Sequence, residues 1–320
     1  MDDVALLAEL GPVAEGLFER HDQAAKEWFP HHFVPYGRGQ DFDPTAAWAE
    51  ADADLGDVAL SDAVRSALMV NLLTEDNLPF YFRTVEQLFG AGGIWGAWAR
   101  RWTAEEGRHA MVIYGYLMTT RAVDPVALER SRMVQVSSGD TPILDSVADG
   151  FIYLAMQELA TRIAHGNTGR LLTDPVGAAV MRRVATDENL HHLFYRDLAT
   201  AAFEIDPSAM VMALHRQVTT FKMPGGGIPD FAHHARAIAR AGIYDLSLHH
   251  EQILVPLVLR QWRLEHLNGL DPDAEVARDR LLKRMTRSAR AARRVAARQA
   301  EDQVSGAAGG IDAPRDLARA

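Results

Sequence analysis

Two short stretches of this chain pair a carboxylate with an imidazole three residues apart: Glu106-Gly-Arg-His109 and Glu188-Asn-Leu-His191. On an α-helix that spacing sets both side chains on one face, a turn apart, where they can ligate one metal site. A single pair would carry little information, because 17 Glu and 13 His placed at random in 320 residues give roughly one Glu-x-x-His. This chain has two and no others, and each lies in a long helix-forming stretch. Two further stretches of that kind carry Glu75 and Glu158 in mainly apolar surroundings. Four Glu and two His on four helices make up the ligand set of the di-iron and di-manganese carboxylate bundles.

Composition narrows the chemistry further. With 48% hydrophobic residues in 320, the chain can bury a large core, and an all-helical bundle of this size fits one domain. There is no Cys, which excludes disulfides, thiolate metal sites and Cys nucleophiles and leaves His and carboxylates to hold any metal. The acidic start Met1-Asp2-Asp3 is unlike a secretory signal, and no apolar run approaches the ~20 residues needed to cross a bilayer, so a soluble cytoplasmic protein with no membrane span is expected. Net charge is -10, but Arg278 to Arg298 holds eight Arg and one Lys against Asp279, a local +8 that leaves -18 elsewhere. Such a body repels nucleic acid, and no nucleic-acid partner is expected.

The elements that must position these residues read as helices throughout. Residues 4 to 28 form an amphipathic helix ended by Phe29-Pro30. Ser61 caps a second, which runs through Glu75 to about Phe89 with a kink at Pro79. A third spans about Ile94 to Arg121 and carries Trp102, Glu106 and His109. After a short helix from Pro125, Thr141-Pro142 opens one through Glu158 to about Asn167, and Asp174-Pro175 opens another through Glu188 and His191 to about Glu204. Weaker helices follow at 207–221, 230–241 and 246–267. In the basic segment Leu281, Leu282, Met285, Ala289, Ala292 and Ala296 recur at helical spacing. The resulting division is a main domain at 1–270, a basic amphipathic extension at 271–300 and a disordered tail at 301–320. The adjacent pairs His31-His32, His233-His234 and His249-His250 read as surface or packing residues, since neighbours on a helix do not face one another.

At these positions the chain resembles the soluble acyl-[acyl-carrier-protein] desaturases, in particular their actinobacterial branch. The resemblance covers roughly residues 1 to 270 and rests on four motifs in order. These are Thr74-Glu-Asp-Asn-Leu-Pro79, Trp102-Thr-Ala-Glu-Glu-Gly-Arg-His109, Gln157-Glu-Leu-Ala-Thr161 with His165-Gly-Asn-Thr168, and Asp187-Glu-Asn-Leu-His191. It implies a ferritin-like four-helix bundle elaborated with additional helices. It also implies two Fe ions held by Glu75, Glu106, His109, Glu158, Glu188 and His191, with Glu106 and Glu188 bridging and Glu75 and Glu158 terminal. By the same resemblance Asp187 bonds a ligand His, Trp102 and Trp28 belong to an electron path, Thr161 lies beside the oxygen site, and Gly150 and Phe151 line an acyl channel. Acyl carrier protein bearing the substrate, a ferredoxin-type electron donor and a second copy of the chain are the implied partners. Leu190, Gly107 and Ala110 depart from the plant-type motif, and none of them is a ligand.

The chemistry of the residues agrees with this. Removing hydrogen from unactivated methylenes needs an oxidant made from O2, which iron on carboxylate and imidazole ligands supports. Four carboxylates neutralise two ferrous ions, so the site can sit among apolar helices without a large desolvation cost. Two other readings use the same residues: another di-iron oxidase, such as a hydroxylase or N-oxygenase, and a non-catalytic ferritin-like metal store or carrier-binding scaffold. Sites of N and O ligands also accept Mn or Zn.

Overall fold

The computed structural model describes residues 1–42, 60–221 and 225–308, without the side chains of 296 and 298–308. Among the described residues every regular element is helical. Helix α1 (Asp3–Ala24) is capped by the Asp2 carboxylate, which accepts from the Ala5 N–H, and buries Leu6, Leu10, Ala14 and His21 along one stripe. It stops short of the Phe29-Pro30 step, because Ala25 turns extended. The chain beyond it carries Trp28 into the interior, where its indole N–H donates to Asp187 at 2.7 Å.

The helix expected to kink at Pro79 is instead divided ahead of it. Ser61 caps α2 (Asp62–Glu75), the chain breaks at Asp76 and Asn77, and α3 (Leu78–Phe89) restarts with Pro79 in its first turn, where its missing N–H costs nothing. Asn77 is fully buried in the break and donates to the Asp140 carbonyl at 2.8 Å. The break leaves Glu75 as the last residue of α2, aimed at the interior. Helix α4 (Gly93–Thr119) follows, then α5 (Pro125–Ser138), stopped by Gly139 in the left-handed conformation.

Thr141-Pro142 does not start the next helix. The N-cap is Ser146, and α6 runs Val147–Leu171. Its first turn is tied down by Asp149, fully buried, which accepts from the Ser146 hydroxyl, the Arg216 guanidinium and the Gln217 amide. Burial on nearly all sides marks α6 as the central rod of the fold. Asp174 caps α7 (Pro175–Ile205), which lies along α6 in the most extensive pairing of the molecule. Helix α8 (Pro207–Thr220), α9 (Phe231–Arg240) and α10 (Leu246–Leu248) follow, the last widening into a π-helical segment, His249–Gln261, that ends before residue 267.

Helix α11 (Pro272–Ala308) packs on α8, α10 and the π-helical segment, burying Ala274, Ala277, Leu281, Met285 and Ala292. It continues past residue 300, where a disordered tail was expected to begin, since Glu301, Gln303, Ala307 and Ala308 are helix formers. The rest of that expected tail, 309–320, lies outside the described residues.

Helices α2, α4, α7 and α6 close a ring in which each packs on the next. That ring is the four-helix bundle, and no helix among the described residues is long and apolar enough to cross a membrane.

Candidate metal centre

The four bundle helices direct Glu75, Glu106, His109, Glu158, Glu188 and His191 to one point inside the ring, all buried. Their donor atoms fall into two groups, each spanning no more than 4.8 Å: Glu75, Glu106, His109 and Glu188 in one, Glu106, Glu158, Glu188 and His191 in the other. Glu106 and Glu188 belong to both. Each group thus has three carboxylates and one imidazole, which is enough to hold a divalent cation.

Both imidazoles face the carboxylates through Nδ1. His109 Nδ1 lies 3.1 Å from Glu106, 3.5 Å from Glu188 and 3.9 Å from Glu75. His191 Nδ1 lies 2.8 Å from Glu106 and 3.8 Å from Glu158. The outer nitrogens meet two further carboxylates: His109 Nε2 is 3.5 Å from Asp187, and His191 Nε2 is 3.0 Å from Glu105. Carboxylates so placed fix the tautomer and raise the basicity of a ligand nitrogen.

Protonation follows from this crowding. Burial, then the Glu106 charge, pushes Glu75 up to about 8. The same two causes hold Glu158 well above the usual carboxylate range. In Glu106 and Glu188 burial also acts upward, but imidazoles outweigh it, His109 and His191 at Glu106 and His109 and His165 at Glu188, and both carboxyls are lowered. His109 and His191 are raised, since the Glu106 charge and the surrounding hydrogen bonds outweigh burial. Without cations the site therefore keeps protons on Glu75, Glu158 and the imidazoles to offset its charge. Among the described residues Glu158 Oε2 and Glu188 Oε2 still lack a hydrogen-bond partner, and Glu106 Oε1 and His191 Nδ1, though 2.8 Å apart, are not aligned to bond each other. Buried polar atoms without partners are costly, and two cations at this donor set would satisfy them.

Other residues singled out in the sequence surround this point. The Trp102 indole N–H donates to Glu158 Oε1 at 3.2 Å. The Trp28 indole bonds Asp187 and lies nearly parallel to the His109 ring, 12° apart at 6.5 Å. Asp187 also takes hydrogen bonds from Arg108 and Arg183, whose guanidinium groups lie over the Trp28 ring. The Thr161 hydroxyl donates to the Glu158 and Gln157 carbonyls of the preceding turn.

Two cavities reach the centre. One of about 40 Å³, lined by Leu78, Tyr81, Val85, Leu144 and Leu154 among others, ends on Glu75, Trp102 and Glu106. The other, about 150 Å³, lies between α2, α6 and α9 and touches Glu75, Thr161 and His165. Gly150 and Phe151 line neither. They sit a turn before Leu154, where a Cβ on Gly150 would come within 3.0 Å of the Phe89 ring and where Phe151 stacks on Phe89.

Three residues at the site carried no assigned role in the sequence reading. His165 places Nε2 3.3 Å from Glu75 and 3.4 Å from Glu188. Glu105, adjacent to Glu106, turns to the outer side of His191. His21 bonds Glu105 at 2.8 Å, and its only trace in the sequence is its place on the apolar stripe of α1.

With the geometry in view, comparison with known proteins is specific. Residues 2–308 match the model of the family described as "Fatty acid desaturase". A Mycobacterium tuberculosis (H37Rv) protein assigned as acyl-[acyl-carrier-protein] desaturase DesA1 is 39% identical over 289 residues, covering 88% of this chain and 84% of its own. Stearoyl-[acyl-carrier-protein] 9-desaturase 3, chloroplastic, of Arabidopsis thaliana is 32% identical over 275 residues, covering 79% and 67%. The X-ray structure of the protein assigned as acyl-ACP desaturase DesA2 of M. tuberculosis H37Rv superposes with a TM-score of 0.66 at 25% identity, over 82% of this chain and 99% of that one. The four-helix ring, the carboxylate and histidine cluster inside it and these matches agree: the chain belongs to the fatty acid desaturase family.

Proposed function

We propose that this protein is a di-iron desaturase that uses O2 to introduce a double bond into a fatty acyl chain carried on acyl carrier protein. The observation that carries the reading is the pair of ligand groups sharing Glu106 and Glu188 at the end of an apolar cavity. Glu75, Glu106, His109 and Glu188 would hold one iron, and Glu106, Glu158, Glu188 and His191 the other, with Glu106 and Glu188 common to both. Bound there, iron supplies the O2 chemistry that oxidises an unactivated methylene pair. The net reaction takes two hydrogens from the acyl chain and two electrons and two protons from outside, and reduces O2 to two waters.

The protein's own part is positioning and exclusion. The apolar walls at Leu78, Val85 and Leu154 suit a methylene chain and keep water from the carboxylates. Gly150 and Phe151, packed on Phe89 a turn before Leu154, would close the far end of an acyl channel. Thr161 shares the second cavity with Glu75, which suits a place beside the oxygen site. Trp28, bonded to Asp187, which lies 3.5 Å from His109, forms a line from the segment after α1 to the centre, a path for electrons from a ferredoxin-type donor.

The test is direct. The protein is loaded anaerobically with ferrous iron, then given O2, a one-electron donor and a saturated acyl carrier protein. A product lighter by two hydrogens is expected by mass spectrometry. A hydroxylated product would move the reading to another oxidase, and no product from a two-iron protein would remove it.

A further inference from the structure

The two histidines of the centre are supported in parallel ways. Behind His109 stands Asp187, and behind Asp187 the Trp28 indole. Behind His191 stands Glu105, and behind Glu105 the His21 imidazole. Both outermost groups come from the N-terminal segment, seven residues apart, and each ring lies nearly parallel to the histidine it supports. The angle is 12° for Trp28 on His109 and 18° for His21 on His191, with centroids 6.5 and 5.8 Å apart.

We propose that His21 is a positioning residue of the metal centre, acting through Glu105 to hold His191, so that helix α1 is part of the metal-binding architecture. The inference rests on the reading of His191 as a ligand.

Glu105 is almost fully buried and uses both oxygens. Oε2 accepts from His21 at 2.8 Å and from His191 at 3.0 Å, while Oε1 accepts from Arg101 at 2.8 Å with Arg108 at 3.6 Å. His21 is itself buried, with the Trp98 edge against its ring at 5.0 Å and Nδ1 without a partner. Among the described residues its single bonded nitrogen is therefore the one on Glu105, and the ring has no other polar partner. With Glu105 so held, the His191 Nε2–H points at a fixed acceptor and Nδ1 is left to face Glu106 and Glu158. The same three residues also place donor atoms close enough for an ion of their own. Two guanidinium groups already lie on Glu105, and His191 would have to bridge to a third metal through Nε2, so hydrogen bonding accounts for the cluster with fewer charges.

Equilibrium dialysis of the full chain against ferrous iron without O2 separates the possibilities. Wild type should take two ions. His21→Leu, which fills the space without a donor, should weaken one of them about 10- to 100-fold and leave the other. Glu105→Gln should weaken that same ion, and His21→Gln, whose amide can still donate to Glu105, should restore much of the affinity. Circular dichroism of the metal-free variants reports folding, and the two Gln variants carry the test where His21→Leu does not fold. Two ions bound at wild-type affinity by folded His21→Leu or Glu105→Gln would overturn the positioning role. So would a third ion in wild type that these variants lose, which would make the cluster a metal site. Failure of wild type to bind two ions would instead bring down the metal-centre reading on which this one rests.

Discussion

Glu106 and Glu188 differ from the other four inward residues in belonging to both ligand groups. Glu106→Ala or Glu188→Ala should therefore empty the centre of both irons, whereas Glu75→Ala or Glu158→Ala should impair one ion chiefly. Removing a ligand from a dry site leaves charge uncompensated as well as a gap in coordination. Metal analysis of the purified variants checks this, and two irons retained without Glu106 would rule against sharing. A pH dependence follows from the same crowding. Glu75, at about 8 in the metal-free protein, together with Glu158, His109 and His191, all raised, must give up protons to bind metal. Protons compete for Glu75 below about 8, so apparent iron affinity should rise as pH approaches about 8, with proton release on binding. Calorimetry in buffers of different ionisation enthalpy measures it, and a pH-independent affinity would contradict it. Glu106 with His109 and Glu188 with His191 were legible in the sequence from helical spacing, and Glu75 and Glu158 from their apolar surroundings and the family resemblance. His21, Glu105 and His165 were not, because their partners lie on other helices and no local spacing records the contact.

Helices were legible where caps and periodicity agreed, as at Ser61 and Asp174. The errors came where tertiary partners overrode a local signal. Pro79 alone predicts a kink, but buried Asn77, bonded across to Asp140, stabilises a break that leaves Glu75 at a helix end. Thr141-Pro142 has the form of a helix start, yet α6 begins at Ser146, where Asp149 meets Arg216 and Gln217 of α8. Asp149 thereby joins the start of the central helix to its neighbour, and its loss should be felt in stability. Arg216 is partly exposed and would rehydrate, which discounts its share. The buried Gln217 amide would be left unpaired, so Asp149→Ala should cost about 2 kcal/mol. Chemical denaturation of the metal-free protein reads this out, and an unchanged midpoint would show that the first turn of α6 holds without the tie.

At the scale of the whole chain, the acidic body and the basic α11 are the principal asymmetry. Leu281, Met285 and Ala292 face inward on α11, as the periodicity predicts, and Arg287, Arg290, Arg293 and Arg294 stand in solvent. Among the described residues no part of α11 lines either cavity; α11 packs on α8, α10 and the π-helical segment. An acidic carrier protein docking on that face would meet these arginines. Replacing all four with Gln should raise KM for acyl carrier protein severalfold and flatten its dependence on salt, leaving the fold intact. An unchanged KM would leave α11 as a cap on α8 and the π-helical segment. The central claim, that this bundle is built around two irons bridged by Glu106 and Glu188, has a more direct test in crystals of the iron-loaded protein, with anomalous scattering at the iron edge. Two peaks about 3.5 to 4 Å apart between α2, α4, α6 and α7 are expected, with Glu106 and Glu188 in contact with both. A single peak, or iron held away from either carboxylate, would contradict it.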